Sequence, residues 1–282
     1  MTGTEQTPQH VDVEWLSEHL GDPQVRVLDA TVHLSFDEHG AHVESGRAAY
    51  EREHVPGAAF VDLIGGLSDP DGEAPFAAAP SERFAQVLGE AGVGDDSHVV
   101  VYDSVNGIWA TRLWWQLGLE GFDRVSVLDG GLAAWRAAGL DTSAGVETYP
   151  AATFTARRRP ERIRSTAEVE AVVEAGEEPG VLLINALGRD DFARGHIPGS
   201  VNVPFAELVD AEGRLRPVEE LRELFASVGA LDAGRRPVTY CGGGIAATAA
   251  ALALAELGRN DVAVYDGSMN AWTADPARPL ES

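Results

Sequence analysis

Cys241 is the only cysteine among the 282 residues of the chain, and the residues on both sides of it suit a reactive thiol. RRPVTY (235–240) precedes it as a short β-rich run, and three glycines follow it and lead into an alanine-rich stretch that predicts a helix. Glycines let backbone N–H groups converge in a turn, and a helix N-terminus carries a partial positive charge. We therefore expect Cys241 to be a thiolate nucleophile, and the alternative is a buried structural cysteine. The amides of the predicted anion cradle belong to Gly242, Gly243, Gly244, Ile245, Ala246 and Ala247.

The charge of the chain excludes several classes of function. Acidic residues number 45 against 21 basic ones, and the net charge is −24. All the basic residues are arginine, so a Schiff-base lysine and the lysine of a Walker-type phosphate loop are both excluded. An acidic surface repels nucleic acid phosphates and anionic membranes. We expect neither nucleic acid nor a membrane as a partner.

Cysteine usage and hydropathy predict the compartment. A lone cysteine forms no disulfide framework, which favours a reducing environment. The first ten residues have neither the charge nor the apolar core of a signal peptide, and no apolar run reaches the ~18 residues that span a bilayer. The sequence predicts a soluble, cytoplasmic protein.

The chain contains an internal repeat, because three segments recur in the same order about 140 residues apart. The pairs are HVPGAAFVDL (54–63) with HIPGSVNVPF (196–205), VVVYD (99–103) with PVTYC (237–241), and VLDGGLAAW (127–135) with VYDGSMNAW (264–272). In the second of these pairs Asp103 takes the place of Cys241, so the first copy lacks the thiol and is predicted to be inactive.

Each copy alternates short β-rich runs with segments of helical spacing. This alternation predicts an α/β fold in which a parallel sheet is flanked by helices on both faces. The predicted organisation is an inactive domain over 10–143, a polar linker over 144–164 and a catalytic domain over 165–282. Ligands of such sheets bind beyond the carboxyl ends of the strands, where Cys241 lies.

These features together resemble the tandem-domain rhodanese family of sulfurtransferases, which comprises thiosulfate and 3-mercaptopyruvate types. The resemblance covers about residues 10–275 and implies two rhodanese-like domains with the catalytic cysteine in the second. The segments that carry it are HVPGA (54–58), RLWW (112–115), LDGGLAAW (128–135), GHIPGS (195–200) and the cysteine loop.

The resemblance implies a reaction in two halves. Cys241 takes a sulfur atom from a small-molecule donor as a persulfide, and a thiol or cyanide acceptor then removes it, with no metal or organic cofactor. Cysteine phosphatases use a similar loop but need an arginine six positions after the cysteine, where this chain has Ala247. A non-enzymatic persulfide carrier or interaction protein is the remaining alternative.

The donor is predicted to be 3-mercaptopyruvate rather than thiosulfate. Thiosulfate-type loops carry basic side chains just after the cysteine, and this loop has none. It is closer to the mercaptopyruvate type, Cys-Gly-Ser/Ala-Gly-Val-Thr-Ala, with Gly243 and Ala246 as departures. The family's customary Asp-Ala-Arg is replaced by Asn185, Ala186 and Leu187.

That replacement leaves Arg189 and Arg194 as the predicted cations for the donor carboxylate, and the alternative is that both are exposed surface arginines. From the first copy, Trp109 and His33 follow strand ends and are predicted to line the site. His196 is interpreted as structural, because His54 occupies the same place in the copy without the cysteine.

Overall fold

The computed structural model describes residues 7–37, 40–176 and 180–282, and these form two compact units. The described residues of the first unit lie within Met1–Leu67 and Pro80–Arg158, and those of the second lie within Ser68–Ala79 and Arg159–Ser282. In the described part of the chain, no helix has the length and hydrophobicity needed to cross a bilayer. The signal-peptide expectation rests partly on residues 1–6, which lie outside the described residues.

The first unit is built on a five-stranded parallel sheet in the order β1-β7-β6-β2-β5. Its core packs valines of β2 and β6 against Leu16, Tyr50 and Trp135 from the surrounding helices. The strands are β1 His10–Val11, β2 Val25–Asp29, β3 Val32–Asp37, β4 Gly40–Ser45, β5 Ala59–Phe60, β6 His98–Tyr102 and β7 Val125–Leu128. The helices are α1 Val13–His19, α2 Arg47–Arg52, α3 Ser81–Glu90, α4 Ile108–Leu119 and α5 Gly131–Ala137.

The second unit repeats this topology with the parallel order β10-β9-β11-β12-β8. The central strand β11 is followed by α9, an alanine- and leucine-rich helix that packs on β11 and β12. Its strands are β8 Ile163–Arg164, β9 Val181–Asn185, β10 Val201–Asn202, β11 Arg236–Tyr240 and β12 Ala263–Tyr265. Its helices are α6 Thr166–Glu174, α7 Arg189–Arg194, α8 Val218–Ser227, α9 Ala246–Glu256 and α10 Ser268–Trp272.

The predicted α/β fold with two repeated parallel sheets is therefore confirmed. The extra length of the first copy includes an antiparallel hairpin formed by β3 and β4, with Val32 opposite Ser45. The second copy has the short helix α7 in the corresponding stretch, between β9 and its His-Ile-Pro-Gly segment.

Residues 68–79 interrupt the first copy in sequence but belong to the second unit. Ala74 is buried in the core of that unit, the Thr166 hydroxyl donates to the Glu73 carboxylate at 2.7 Å, and the Ala78 N–H donates to Asp266 at 2.8 Å. The compact units thus differ from the predicted ranges 10–143 and 165–282. The predicted linker 144–164 is also divided, because residues up to Arg158 group with the first unit.

Candidate active site

Cys241 lies at the carboxyl edge of the second sheet, directly after the central strand β11. Four residues separate it from Ala246, where helix α9 begins, and no side chain caps the N-terminus of that helix. The cysteine is 3% exposed and has no disulfide partner. We call residues 241–245 the active loop.

Helix α10 anchors the active loop through its first residues. The Cys241 N–H donates to Ser268 Oγ at 3.1 Å. The Met269 N–H donates to the Cys241 carbonyl at 3.0 Å, and the Asn270 N–H donates to the Gly242 carbonyl at 2.9 Å. In a trans peptide the N–H points opposite to the carbonyl, so the amides that follow these two carbonyls point away from α10. The N–H groups of Gly242 and Gly243 therefore point away from the backbone of α10.

The three glycines of the loop have different roles. Gly244 has φ +77°, which an L-residue adopts only with strain. Neither Gly242 nor Gly243 has a positive φ. An ideal Cβ on Gly242 would lie 3.9 Å from Leu187, in ordinary contact, whereas one on Gly243 would lie 3.0 Å from Asn270 Nδ2. Backbone conformation thus requires glycine at 244, and limited space favours it at 243.

The first unit shows what the equivalent loop does when its first residue carries a fixed negative charge. Asp103 follows β6 as Cys241 follows β11, and it is 2% exposed. Its carboxylate accepts five backbone N–H groups at 2.8–3.1 Å. These amides belong to Val105, Asn106, Gly107, Trp109 and Ala110.

This occupied loop supports the anion cradle predicted for the second copy. Gly107 and Gly244 both have a left-handed φ, and the threonine four residues after each donates its hydroxyl to the isoleucine carbonyl three residues before it. This match aligns the two loops at an offset of 137 residues, so the active loop is one residue shorter than its counterpart. The five amides then fall on Gly242, Gly243, Gly244, Ala246 and Ala247, all within the predicted range 242–247. A thiolate or persulfide on Cys241 would be an anion in the place of the Asp103 carboxylate, and amides of this kind stabilise such an anion without a cationic side chain. The cradle around Cys241 stays a prediction.

Three side chains lie over the glycines of the active loop. Leu187 approaches the Cβ position of Gly242, and Asn270 and Phe76 approach that of Gly243. Phe76 belongs to the segment 68–79 and has φ +67°, an uncommon conformation for a residue other than glycine. The side chains within 4 Å of these two Cβ positions are therefore two apolar ones and one carboxamide, and we call these three side chains the rim.

A cavity of about 320 Å³ lies at the same sheet edge, beside the end of β12. It is lined by Glu73, Glu168 and Asp266, with Arg164 as its cation. Arg164 Nη1 lies 3.6 Å from the Glu168 carboxylate. Three carboxylates against one paired arginine make this cavity unsuited to an anionic sulfur donor.

Comparison with known proteins agrees with this geometry. The family model of the rhodanese-like domain matches residues 12–138 and again 167–275. The chain belongs to the rhodanese family.

Its similarity to characterised rhodaneses extends over nearly the full length of each chain. The 3-mercaptopyruvate sulfurtransferase of Escherichia coli K12 is 35% identical over 98% of both chains. Thiosulfate/3-mercaptopyruvate sulfurtransferase 2 of Arabidopsis thaliana is 32% identical over 96% of this chain and 85% of its own. The crystal structure of SseA from Escherichia coli, a 3-mercaptopyruvate sulfotransferase, superimposes with a TM-score of 0.83 at 34% identity, covering 93% of this chain and 99% of SseA. The predicted family and the two rhodanese-like domains are confirmed.

The two predicted donor-binding arginines of this rhodanese lie at the surface and are paired with carboxylates. Arg189 makes a two-pronged pair with Glu207 at 2.7 Å for both hydrogen bonds, and its side chain is 65% exposed. Arg194 pairs with Asp191 on the same helix and is 75% exposed. Their contact with a donor stays a prediction.

The two predicted wall residues belong to the first unit. Trp109 is buried in α4, and its backbone N–H is one of the five that bind Asp103. His33 is exposed on the hairpin, opposite Glu44. Their contribution to the walls of the Cys241 site stays a prediction.

His196 and His54 have the same contacts in the two copies. Nδ1 of each ring lies within hydrogen-bond distance of the carbonyl four residues earlier, at 2.9 Å to Phe192 and 2.8 Å to Tyr50. Each ring also stacks on that aromatic side chain. This common geometry supports the structural interpretation of His196.

Sequence reasoning missed the residues that hold and cover the active loop, Ser268, Asn270 and Phe76. The repeat pair VLDGGLAAW and VYDGSMNAW contained a signal for the first two, because it places residues 266–270 after β12, beside the end of β11. Phe76 had no such signal, since its segment lies far from Cys241 in sequence and within the other copy.

Proposed function

We propose that this protein is a 3-mercaptopyruvate sulfurtransferase that carries the transferred sulfur as a persulfide on Cys241. The observation that supports it most directly is the equivalent loop of the first unit, in which five backbone amides surround the Asp103 carboxylate. The corresponding loop of the second unit is one residue shorter and has a cysteine in that position, and its amides stabilise a sulfur anion in a similar way. The long sequence match to 3-mercaptopyruvate sulfurtransferases is independent support.

In the first half-reaction the Cys241 thiolate attacks the sulfur of 3-mercaptopyruvate. A sulfur–sulfur bond forms, the carbon–sulfur bond of the donor breaks, and its electron pair passes to the enolate of pyruvate. The thiol proton of the donor ends on the methyl carbon of pyruvate. The cysteine is left as a persulfide anion, which the amides of residues 242–247 stabilise as they did the thiolate.

In the second half-reaction an acceptor thiolate attacks the outer sulfur of the persulfide. The new bond forms between acceptor and sulfur, the sulfur–sulfur bond to Cys241 breaks, and its electron pair returns to the cysteine as a thiolate. Cyanide reacts at the same atom and leaves as thiocyanate. Each half transfers one neutral sulfur atom between nucleophiles, so neither half requires an external oxidant or reductant.

The rim of the active loop that contains Cys241 is uncharged, and this favours 3-mercaptopyruvate over thiosulfate as the donor. Leu187 stands where the family's customary arginine would be, and Phe76 and Asn270, the other two rim residues, are also uncharged. Thiosulfate brings two negative charges close to the reacting sulfur, and none of these three side chains carries a positive charge to oppose them. The carboxylate of 3-mercaptopyruvate lies farther from its sulfur and carries one charge.

Thiosulfate is the second candidate donor, because a similar Arabidopsis protein is named for both donors. We propose a small thiol as the physiological acceptor and the cytoplasm as the site of action, since one free cysteine suits a reducing compartment.

Steady-state kinetics with one thiol acceptor and each donor in turn tests the proposal. We expect repeated turnover with pyruvate release and a higher kcat/KM for 3-mercaptopyruvate than for thiosulfate. Equal or better use of thiosulfate would overturn the donor assignment. Uptake of a single equivalent of sulfur without turnover would instead indicate a persulfide carrier.

A further inference from the structure

The space that a side chain at position 243 would fill is occupied by a residue from another element. An ideal Cβ on Gly243 would lie 3.0 Å from Asn270 Nδ2 and 3.7 Å from the Phe76 ring. Asn270 reaches this place because its own backbone N–H binds the Gly242 carbonyl at 2.9 Å, which fixes the start of α10 against the active loop. Its side chain is exposed, so a bound molecule can reach the carboxamide.

The active loop has no polar side chain at position 243, and the Asn270 carboxamide lies beside that position. Mercaptopyruvate-type loops that carry serine at the position of Gly243 present a hydroxyl there, and this chain has only a hydrogen atom. The carboxamide of Asn270 supplies a hydrogen-bond donor in the space that such a side chain would occupy. Asn270 is also the polar member of the rim, since Leu187 and Phe76 are apolar.

The first copy lacks both halves of this arrangement. Its counterpart of Gly243 is Asn106, and its counterpart of Asn270 is Ala133. The glycine at 243 and the carboxamide at 270 therefore occur together in the copy that carries the cysteine, and the copy that carries Asp103 has neither residue at these two positions.

We propose that Asn270 is a donor-binding residue whose side-chain N–H hydrogen-bonds an oxygen of an α-keto acid donor while Cys241 attacks its sulfur. This inference rests on the proposed function and names the group that recognises the donor. The amides of residues 242–247 hold the sulfur anion, and Asn270 holds the oxygen-bearing end of the donor. The acceptor thiol needs no such oxygen, so Asn270 acts in the first half-reaction only.

Separate measurement of the two half-reactions tests this role. A hydrogen bond to a charged group contributes roughly 1.5–3 kcal/mol, so Asn270→Ala should lower kcat/KM for 3-mercaptopyruvate by about 10-fold or more, chiefly through KM. Asn270→Asp should lower it further, because the isosteric carboxylate repels the donor. Sulfur transfer from the preformed Cys241 persulfide to a thiol should keep its wild-type rate in both variants. Thr273→Ala, which removes an exposed hydroxyl just after α10, is the control.

A double-mutant cycle with Gly243 adds a geometric test. Gly243→Ala places its methyl group 3.0 Å from Asn270 Nδ2 and must displace the carboxamide, while its backbone conformation needs no left-handed φ. We expect Gly243→Ala to impair donor use as Asn270→Ala does, and the double variant to be no worse than either single one.

The outcomes separate this inference from the proposed function. Wild-type protein that does not turn over 3-mercaptopyruvate would contradict the proposed function itself. Normal wild-type turnover with unchanged KM in both Asn270 variants would overturn the role of Asn270 and leave the proposed function intact. Equal slowing of both half-reactions would also overturn it, because a distorted loop affects both. Additive losses in the double variant would contradict the geometry.

Discussion

Gly244 is the glycine of the active loop that has a left-handed backbone conformation, and replacing it by alanine perturbs the loop at this point. Its φ of +77° places an added Cβ in a strained conformation that costs roughly 1–2 kcal/mol. The loop relieves this strain by rotating the peptide planes around residue 244, which turns amides away from the Cys241 sulfur. A cost of this size lowers the population of the competent loop by about 5- to 30-fold.

Gly242→Ala is the matched control for this experiment. Its φ is not left-handed, and the new methyl group would lie 3.9 Å from Leu187, which is an ordinary contact. The assay is the single-turnover rate of persulfide formation with 3-mercaptopyruvate, followed without an acceptor. We expect a 5- to 30-fold slower rate for Gly244→Ala, about the size of the strain, and a rate close to wild type for Gly242→Ala. Equal rates in the two variants would refute the argument from backbone conformation.

Three further substitutions test other parts of the account. Gly243→Val should abolish sulfur uptake with little change in unfolding, because its branched side chain must displace Asn270 and Phe76; full activity would contradict this. Asp103→Ala should destabilise the first unit by roughly 2–6 kcal/mol, since two buried amides lose their acceptor at about 1–3 kcal/mol each. Urea unfolding followed by tryptophan fluorescence measures it, and an unchanged midpoint would contradict it. If Arg189 or Arg194 binds the donor carboxylate, its replacement by alanine should raise KM about 10- to 100-fold; an unchanged KM in both variants would remove these residues from the site.

Tryptophan fluorescence suits the Asp103 experiment because the tryptophans are unevenly distributed. Trp272 lies in the second unit, and the other five of the six lie in the first. The backbone N–H of Trp109 is one of the two buried amides that lose their acceptor, and its side chain is buried.

The periodic parts of the fold could be predicted from the sequence. The valine-rich runs of β2 and β6 and the apolar helix α9 carry strong local patterns, and the internal repeat predicted that both copies share one topology. The two-residue strands β1, β5, β8 and β10 could not be found in this way, because a pattern of period two needs more residues than they have.

The position of Cys241 in a loop between a strand and a helix was also predictable, since a strand, a cysteine, three glycines and a helix are consecutive in the chain. The rim was not predictable, because it depends on tertiary contacts. Phe76 reaches the active loop only because Ala74 is buried in the second core and Glu73 and Ala78 are hydrogen-bonded there. Its segment contains prolines and glycine without any periodic pattern.

The central claim is that Cys241 carries the sulfur, and intact-protein mass spectrometry tests it most directly. Wild-type protein treated with 3-mercaptopyruvate and no acceptor should gain the mass of one sulfur atom, located on the peptide that contains Cys241, and should lose it when a thiol is added. Cys241→Ser should remain folded, gain no sulfur and release no pyruvate. A folded Cys241→Ser protein that still transfers sulfur at a substantial rate would contradict the account.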